Sequence, residues 1–171
     1  MPELSLDKIP QEPYAALDPV GFSGRIGRLR LLAWSMVLTV IAMVTSLLVL
    51  LAVKVSPTLG ITCGATLSMV YFILGLRMGA QRLHDLNWSA WMLLLHLVPV
   101  ANLVLSLMML LMPGTPGPNK YGPPPPPNSR AVNVIASITI FLIGLSICAM
   151  IALFALGLLT ALINAVNSNS L

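Results

Sequence analysis

Ser89 to Met112 reads SAWMLLLHLVPVANLVLSLMMLLM, 24 residues without an Asp, Glu, Lys or Arg and with Pro99 near the middle. Whether this stretch crosses a membrane once or turns back decides the fold. As an unbroken helix it would measure about 36 Å at about 1.5 Å per residue, the length of one tilted span. Either half alone would penetrate only about 18 Å on the same rise. Proline kinks are tolerated in membrane helices, so length favours a full crossing. The interruption Pro99-Val100-Ala101-Asn102 leaves a re-entrant hairpin as the rival.

The rest of the chain makes a membrane the only sensible solvent. Of 171 residues, 57% are hydrophobic and 8% charged, against roughly 45–50% and about 25% in soluble domains. A charge at the centre of a membrane helix costs about 2.5–3.5 kcal/mol, so long runs that exclude charge mark spans. Besides Ser89 to Met112, such runs are Leu31 to Val53, Leu59 to Leu76 and one within Ala131 to Val166. Backbone groups in lipid must be satisfied within a helix or a closed barrel, and no alternating ten-residue segments recur to suggest a barrel. The expected fold class is an all-α integral membrane protein, a bundle of four transmembrane helices with the third kinked or re-entrant at Pro99. Residues 1–20, with Glu3, Asp7, Glu12, Asp18 and four prolines, lack the apolar core of a cleaved signal and read as a disordered cytoplasmic arm. Residues 21–122 form the membrane core, 123–130 a Pro-rich linker, and 131–171 an additional C-terminal transmembrane helix with a short tail.

Charge sets the expected orientation. From residue 19 onward the cations are Arg25, Arg28, Arg30, Lys54, Arg77, Arg82, Lys120 and Arg130, and the one anion is Asp85. Three arginines precede the first span, two lie between spans two and three, and only Lys54 separates spans one and two. The positive-inside bias then places the N-terminus in the cytoplasm. A full third crossing gives five cations inside against three outside; a hairpin gives seven against one.

Small residues let helix backbones approach in lipid, where no hydrophobic force drives association. At about 100° per residue, Ser35, Thr39, Ala42 and Ser46 share one face of span one. Gly60, Gly64, Ser68, Tyr71 and Gly75 do so on span two, and Asn133, Ser137, Gly144, Cys148 and Ala155 on span four. These are the expected packing seams, with intramolecular contacts or a homo-oligomer as their use. Cys63 and Cys148 have no closely spaced ligand partner and read as packing residues, so no metal site is expected. His96 and Asn102 lie within about 120° of each other on span three, a candidate intramembrane polar site. A neutral histidine bonded to a neighbouring helix is the plainer reading.

Two polar clusters flank the apolar runs. Gly21-Phe22-Ser23-Gly24-Arg25-Ile26-Gly27-Arg28 lacks the spacing of a phosphate-binding loop but suits a basic collar beside anionic headgroups, worth about 1 kcal/mol per cation near the surface. In Arg82-Leu83-His84-Asp85, the carboxylate is expected to pair with neighbouring arginines, while His84 and Asp85 point about 100° apart on a helix. No serine, cysteine or second carboxylate stands close by to complete a reacting constellation. Met112 to Gly122, with Gly114, Gly117, Asn119, Tyr121 and Gly122, is a run of turn signals that leads into Pro123 to Pro127, a stiff spacer.

Taken together, Phe22-Ser23-Gly24-Arg25 with Arg28, Arg82-Leu83-His84-Asp85 through Ser89-Ala90-Trp91, Pro99, and Pro113 to Gly122 resemble the small bacterial inner-membrane proteins classified as domain of unknown function 805. The resemblance covers roughly residues 21–127 and implies a three-span core in the bacterial inner membrane. It implies no reaction. Leu31 and Leu32 stand where the family pattern looks like an aromatic pair, and the apolar segment beyond Pro127 looks like an addition. The resulting expectation is a non-enzymatic multi-pass protein whose Arg25, Arg28, Arg82, His84 and Asp85 dock a lipid headgroup or a membrane-protein partner, without cofactor or nucleic acid. The alternative is a small transporter or channel using His96 and Asn102; a lipid-modifying enzyme with His84 as base ranks third.

Overall fold

The computed structural model describes residues 14–18 and 21–168, so most of the expected disordered arm lies outside the described residues. In chain order come helix α1 (Arg28–Val55), α2 (Pro57–Asp85), a 3-10 helix (Ala90–Leu97), α3 (Pro99–Leu111) and α4 (Arg130–Ser168). Three of these, α1, α2 and α4, are long and apolar enough to cross a membrane by length and composition. With 28, 29 and 39 residues they exceed the roughly 20 residues a bilayer core requires.

The third apolar run does not form a helix of span length, so among the described residues three span-length helices stand where four were expected. Pro99 disfavours a helical conformation at the residue before it, and Val98 is extended at φ −106°, ψ 116°. The run therefore breaks into an eight-residue 3-10 helix and a 13-residue α-helix. At about 2.0 and about 1.5 Å per residue these measure about 16 and about 20 Å, too short to span about 30 Å of hydrocarbon. The two pieces pack on each other, forming a helical hairpin. Both its ends return to the same place: Trp88 donates its backbone N–H to Leu83 O at 2.8 Å, and Thr115 donates to Asp85 O at 2.8 Å.

Local chemistry explains where α2 begins and stops. Ser56 alone separates α1 from α2; its Oγ accepts from Leu59 N at 3.4 Å, and Pro57 occupies the first helical turn, where a missing N–H costs nothing. At the other end Asn87 adopts φ 63°, with Asn87 N–H bonded to His84 O at 3.0 Å beside the Trp88 to Leu83 bond. This is a Schellman cap with asparagine in the left-handed position. It fixes Asp85 at the last turn of α2.

The α1–α2 seam uses the expected face of span two. A Cβ on Gly60 would lie 2.3 Å from Val53 Cγ2 and 2.6 Å from its backbone, one on Gly64 3.2 Å from Val49 Cγ1, and Thr45 Oγ1 meets Tyr71 OH at 2.7 Å. On α1 the facing residues include Thr45, Val49 and Val53, and Ser46 of the expected face lies beside them along the same α1–α2 crevice. α4 departs further from expectation. It meets α1 where Ala33 and Ala136 are buried together with Leu32, beside Leu29, Leu110, Val132 and Ile135, while Asn133, Ser137, Gly144, Cys148 and Ala155 are all exposed. Cys63 is exposed as well, so neither cysteine packs against another helix of this chain. A stripe of small residues marks where a backbone could approach, not whether a neighbour is present. A second apolar cluster, Leu83, Leu86, Leu105 and Met109, seats the hairpin on the end of α2.

Candidate functional site

At the end of α2 the Asp85 carboxylate is shared by two arginines. Its Oδ1 accepts from Arg25 Nε at 3.2 Å and Nη2 at 3.1 Å, and its Oδ2 accepts from Arg82 Nη1 at 2.6 Å. Both guanidinium side chains are fully buried and that of Asp85 is 3% exposed. Such a pair survives out of water only if its other hydrogen-bonding groups also find partners. Every guanidinium nitrogen of both arginines does. Arg25 donates from Nη1 to Gly117 O at 2.8 Å and Gly122 O at 3.1 Å, and from Nη2 to Thr115 O at 2.6 Å and Thr115 Oγ1 at 3.1 Å. Arg82 donates from Nε to Met109 O at 2.7 Å and from Nη2 to Met112 O.

The acceptors explain the hairpin. The last carbonyls of an α-helix lack intrahelical partners, and here Met109 O and Met112 O at the end of α3 are taken by Arg82, while Leu111 O accepts from Arg28 Nη1 at 3.0 Å. Cations at a helix C-terminus also complement its dipole. The clasp therefore ties α2, the exit of the hairpin and the segment ahead of α1 into one unit.

The loop from Pro113 to Gly122 is shaped for this. A Cβ on Gly114 would stand 2.0 Å from Asp85 Oδ2, so only glycine fits against the carboxylate. Gly117 and Gly122 have φ of 71° and 115°, conformations that glycine adopts without strain. Asn119 closes the turn: its Oδ1 accepts from Tyr121 N at 2.9 Å, its backbone exchanges two bonds with Gly122, and its Nδ2 donates to His84 O and Thr115 Oγ1, both at 2.8 Å. Tyr121 stacks on His84 with ring centroids 3.8 Å apart, and His84 Nδ1 lies 3.3 Å from Gly24 O.

Thus Arg25, Arg82, His84 and Asp85 come together with Gly114, Gly117, Asn119, Tyr121 and Gly122, and Arg28 lies at the edge. His96 and Asn102 do not join them, and each bonds within its own helix, to Leu93 O and to Ser106 Oγ. Sequence reasoning missed Gln81 and Thr115. Gln81 Nε2 donates to Asp18 O, Gly21 O and Ser23 O at 2.6, 2.8 and 3.1 Å, and so anchors the segment that delivers Arg25. Within the expected arm, Ala15 N–H bonds Pro124 O at 2.9 Å. A neutral amide directly before a conspicuous Arg-Leu-His-Asp element carried no signal of that role. Among the described residues no three His, Cys, Asp or Glu side chains are grouped to hold a metal ion.

Two relatives, each named inner membrane protein YhaH, from Escherichia coli K12 and from Escherichia coli O157:H7, are both 42% identical over 45 residues. That alignment covers 26% of this chain and 37% of the relative, so the chain spans well under half the length of the curated proteins it matches. No solved structure matches. A family model matches residues 19–123, which takes in Arg25, α1, α2, the hairpin and the Gly/Pro loop. The chain, a membrane protein by its composition and helices, therefore belongs to the family described as protein of unknown function (DUF805).

Proposed function

We propose that this is a non-enzymatic, multi-pass inner-membrane protein that docks anionic lipid headgroups on the cytoplasmic face, where the clasp holds the hairpin and loop in place. The observation that carries this reading is the saturation of Asp85: both carboxylate oxygens are taken by arginines that use their other donors on loop and helix carbonyls. A carboxylate so bound is a fastener rather than a base. With Arg25 and Arg82 engaged internally, headgroup attraction falls to the exposed cations Arg28, Lys120 and Arg130, at about 1 kcal/mol each near an anionic surface. The hairpin supports the orientation, because it returns the loop bearing Lys120 to the end that bears Arg25, and a cation balance of seven against Lys54 alone suits that end to the cytoplasm.

The test is lipid analysis of particles excised from membranes with the protein inside. Native protein should be enriched in phosphatidylglycerol over bulk membrane, and the variant combining Arg28→Gln, Lys120→Gln and Arg130→Gln should lose that enrichment. Equal lipid composition around both proteins would end the proposal. Thiol labelling of Ser89→Cys and Thr115→Cys in intact cells should give the same sidedness for both positions.

A further inference from the structure

Between α1, α2 and the hairpin lies a cavity of about 600 Å³, within the size range of ligand pockets. Its walls are mostly hydrocarbon, with Leu31 from α1, Phe72 from α2 and Leu97 from the 3-10 helix among them, and no charged side chain of the described residues lines it. Phe72 and Leu97 are 62% and 81% exposed, so a lipid can reach the cavity from the side. Gly75 widens it on α2, where a Cβ would meet nothing within 4 Å.

Two polar side chains line this apolar space, Ser35 and His96. Each has already used a donor on its own helix. Ser35 Oγ donates its one proton to Leu32 O at 2.9 Å, which leaves only lone pairs on the oxygen. His96 Nδ1 lies 3.2 Å from Leu93 O. A carbonyl can only accept, so Nδ1 carries the hydrogen, and in the uncharged ring Nε2 presents a lone pair. His96 is exposed, and its Nε2 has no hydrogen-bond partner among the described residues. The cavity therefore offers acceptors, with neither a free side-chain donor nor a charge.

That chemistry selects an occupant. A phosphate would find no cation there and an ammonium no carboxylate, and burial of an unpaired charge is costly. A bare acyl chain would fill the walls and leave Nε2 unmet. A hydroxyl carries no charge and donates one hydrogen bond. It also suits the position of His96, two residues before the break at Val98 and so at the end of the hairpin opposite the clasp. We infer that the cavity holds an uncharged lipid with a hydroxyl head, whose O–H donates to His96 Nε2 while its hydrocarbon lies against Phe72 and Gly75. This site is independent of headgroup docking by Arg28, Lys120 and Arg130, none of which lines the cavity.

Native mass spectrometry of the full chain tests it with two lipid pairs, dioleoylglycerol against its 3-O-methyl ether and ubiquinol against its O-methylated form. Within each pair the hydrocarbon body is shared and the hydroxyl is blocked in one member. The wild type should retain the hydroxyl form of one pair about fivefold over its ether, the ratio that one net hydrogen bond sustains. Preference in the glyceride pair makes the occupant an aliphatic alcohol, and preference in the quinol pair an aromatic one. His96→Phe, which keeps a flat ring without the acceptor, should retain hydroxyl and ether forms equally. Gly75→Leu, which fills the cavity, should weaken retention of both, whereas Asn102→Leu, outside the cavity, should change neither. If His96→Phe does not fold, Gly75→Leu decides: undiminished retention in that variant overturns the site. Equal retention of hydroxyl and ether forms by the wild type in both pairs would overturn it as well. So would a preference that survives His96→Phe, or one lost equally in Asn102→Leu. No anionic lipid enters the measurement, so its failure is distinct from failure of the phosphatidylglycerol test above.

Discussion

Two sets of arginines lie near the same end of the molecule and have opposite fates. Arg25 and Arg82 share a carboxylate and give their remaining donors to carbonyls of the loop and of α3. Arg30 and Arg77 each keep a buried nitrogen without a partner. Arg25, Arg82 and Arg30 are about equally buried, at 2%, 0% and 3% exposure. Burial alone therefore does not decide whether every guanidinium nitrogen has a partner: all do in Arg25 and Arg82, and one does not in Arg30. A guanidinium presents five donors in a fixed fork, and only a segment of chain shaped around it can meet them all. With Asp85, the Pro113 to Gly122 loop is such a segment for Arg25, whereas the Pro-rich linker offers Arg30 two carbonyls and leaves Nη1 without a partner.

That contrast breaks most severely at Asp85. Removing one member of a buried ion pair typically costs about 3–5 kcal/mol, because the other charge stays buried without compensation. Asp85→Ala leaves two such charges, so thermal unfolding of the purified protein should show a larger loss than any other single substitution in the clasp. Unaltered thermal stability would mean that the arginines are held by carbonyls alone. Next comes Gly114→Ala, whose new methyl must displace a carboxylate fixed from both sides. Overpacking of this kind costs about 1–3 kcal/mol, and the same melting measurement should show it, whereas Gly117→Ala tests backbone strain alone at φ 71°. Tyr121→Leu should lose the His84 stack, worth about 0.5–1.5 kcal/mol for an aromatic pair.

The smallest effect sharpens the comparison from its other side. Arg30→Met removes a buried charge together with its unmet donor and keeps a side chain of apolar bulk. Replacement of buried ionic groups by apolar ones is often neutral or stabilising. Melting of Arg30→Met should therefore stay within about 1 kcal/mol of wild type, the net worth of a typical hydrogen bond, while Arg82→Met is strongly destabilised. Equal losses at the two positions would show that Arg30 is as structural as Arg82.

Much of the collar was legible from residue order alone. Asp85 stood out because it is the lone anion among eight cations from residue 19 onward, and the loop glycines because turn chemistry in Met112 to Gly122 has few alternatives. Gln81 and Thr115 were not legible, since their partners are backbone carbonyls and an Asp85 main-chain oxygen distant in sequence. The face by which α4 meets α1 was not legible for a related cause. Asn133, Ser137 and Gly144 form a valid small-residue face, but α1 meets Ala136 on another, where Thr139 is also buried. In lipid the competing faces differ little in solvation, so the choice depends on which neighbour is in reach.

Composition and the spacing of charge determined by themselves that this chain is a helical membrane protein with its cations outside the apolar runs, because excluding charge from hydrocarbon is a local requirement met residue by residue. The course of Ser89 to Met112 was a different matter. Its length allowed a crossing and Pro99 allowed a turn, two local terms of similar size. Tertiary contacts decided between them: Arg82 and Arg28 take the free carbonyls at the end of α3, and Thr115 docks on Asp85. Those bonds exist only once the hairpin has returned, so no reading confined to the segment could have counted them.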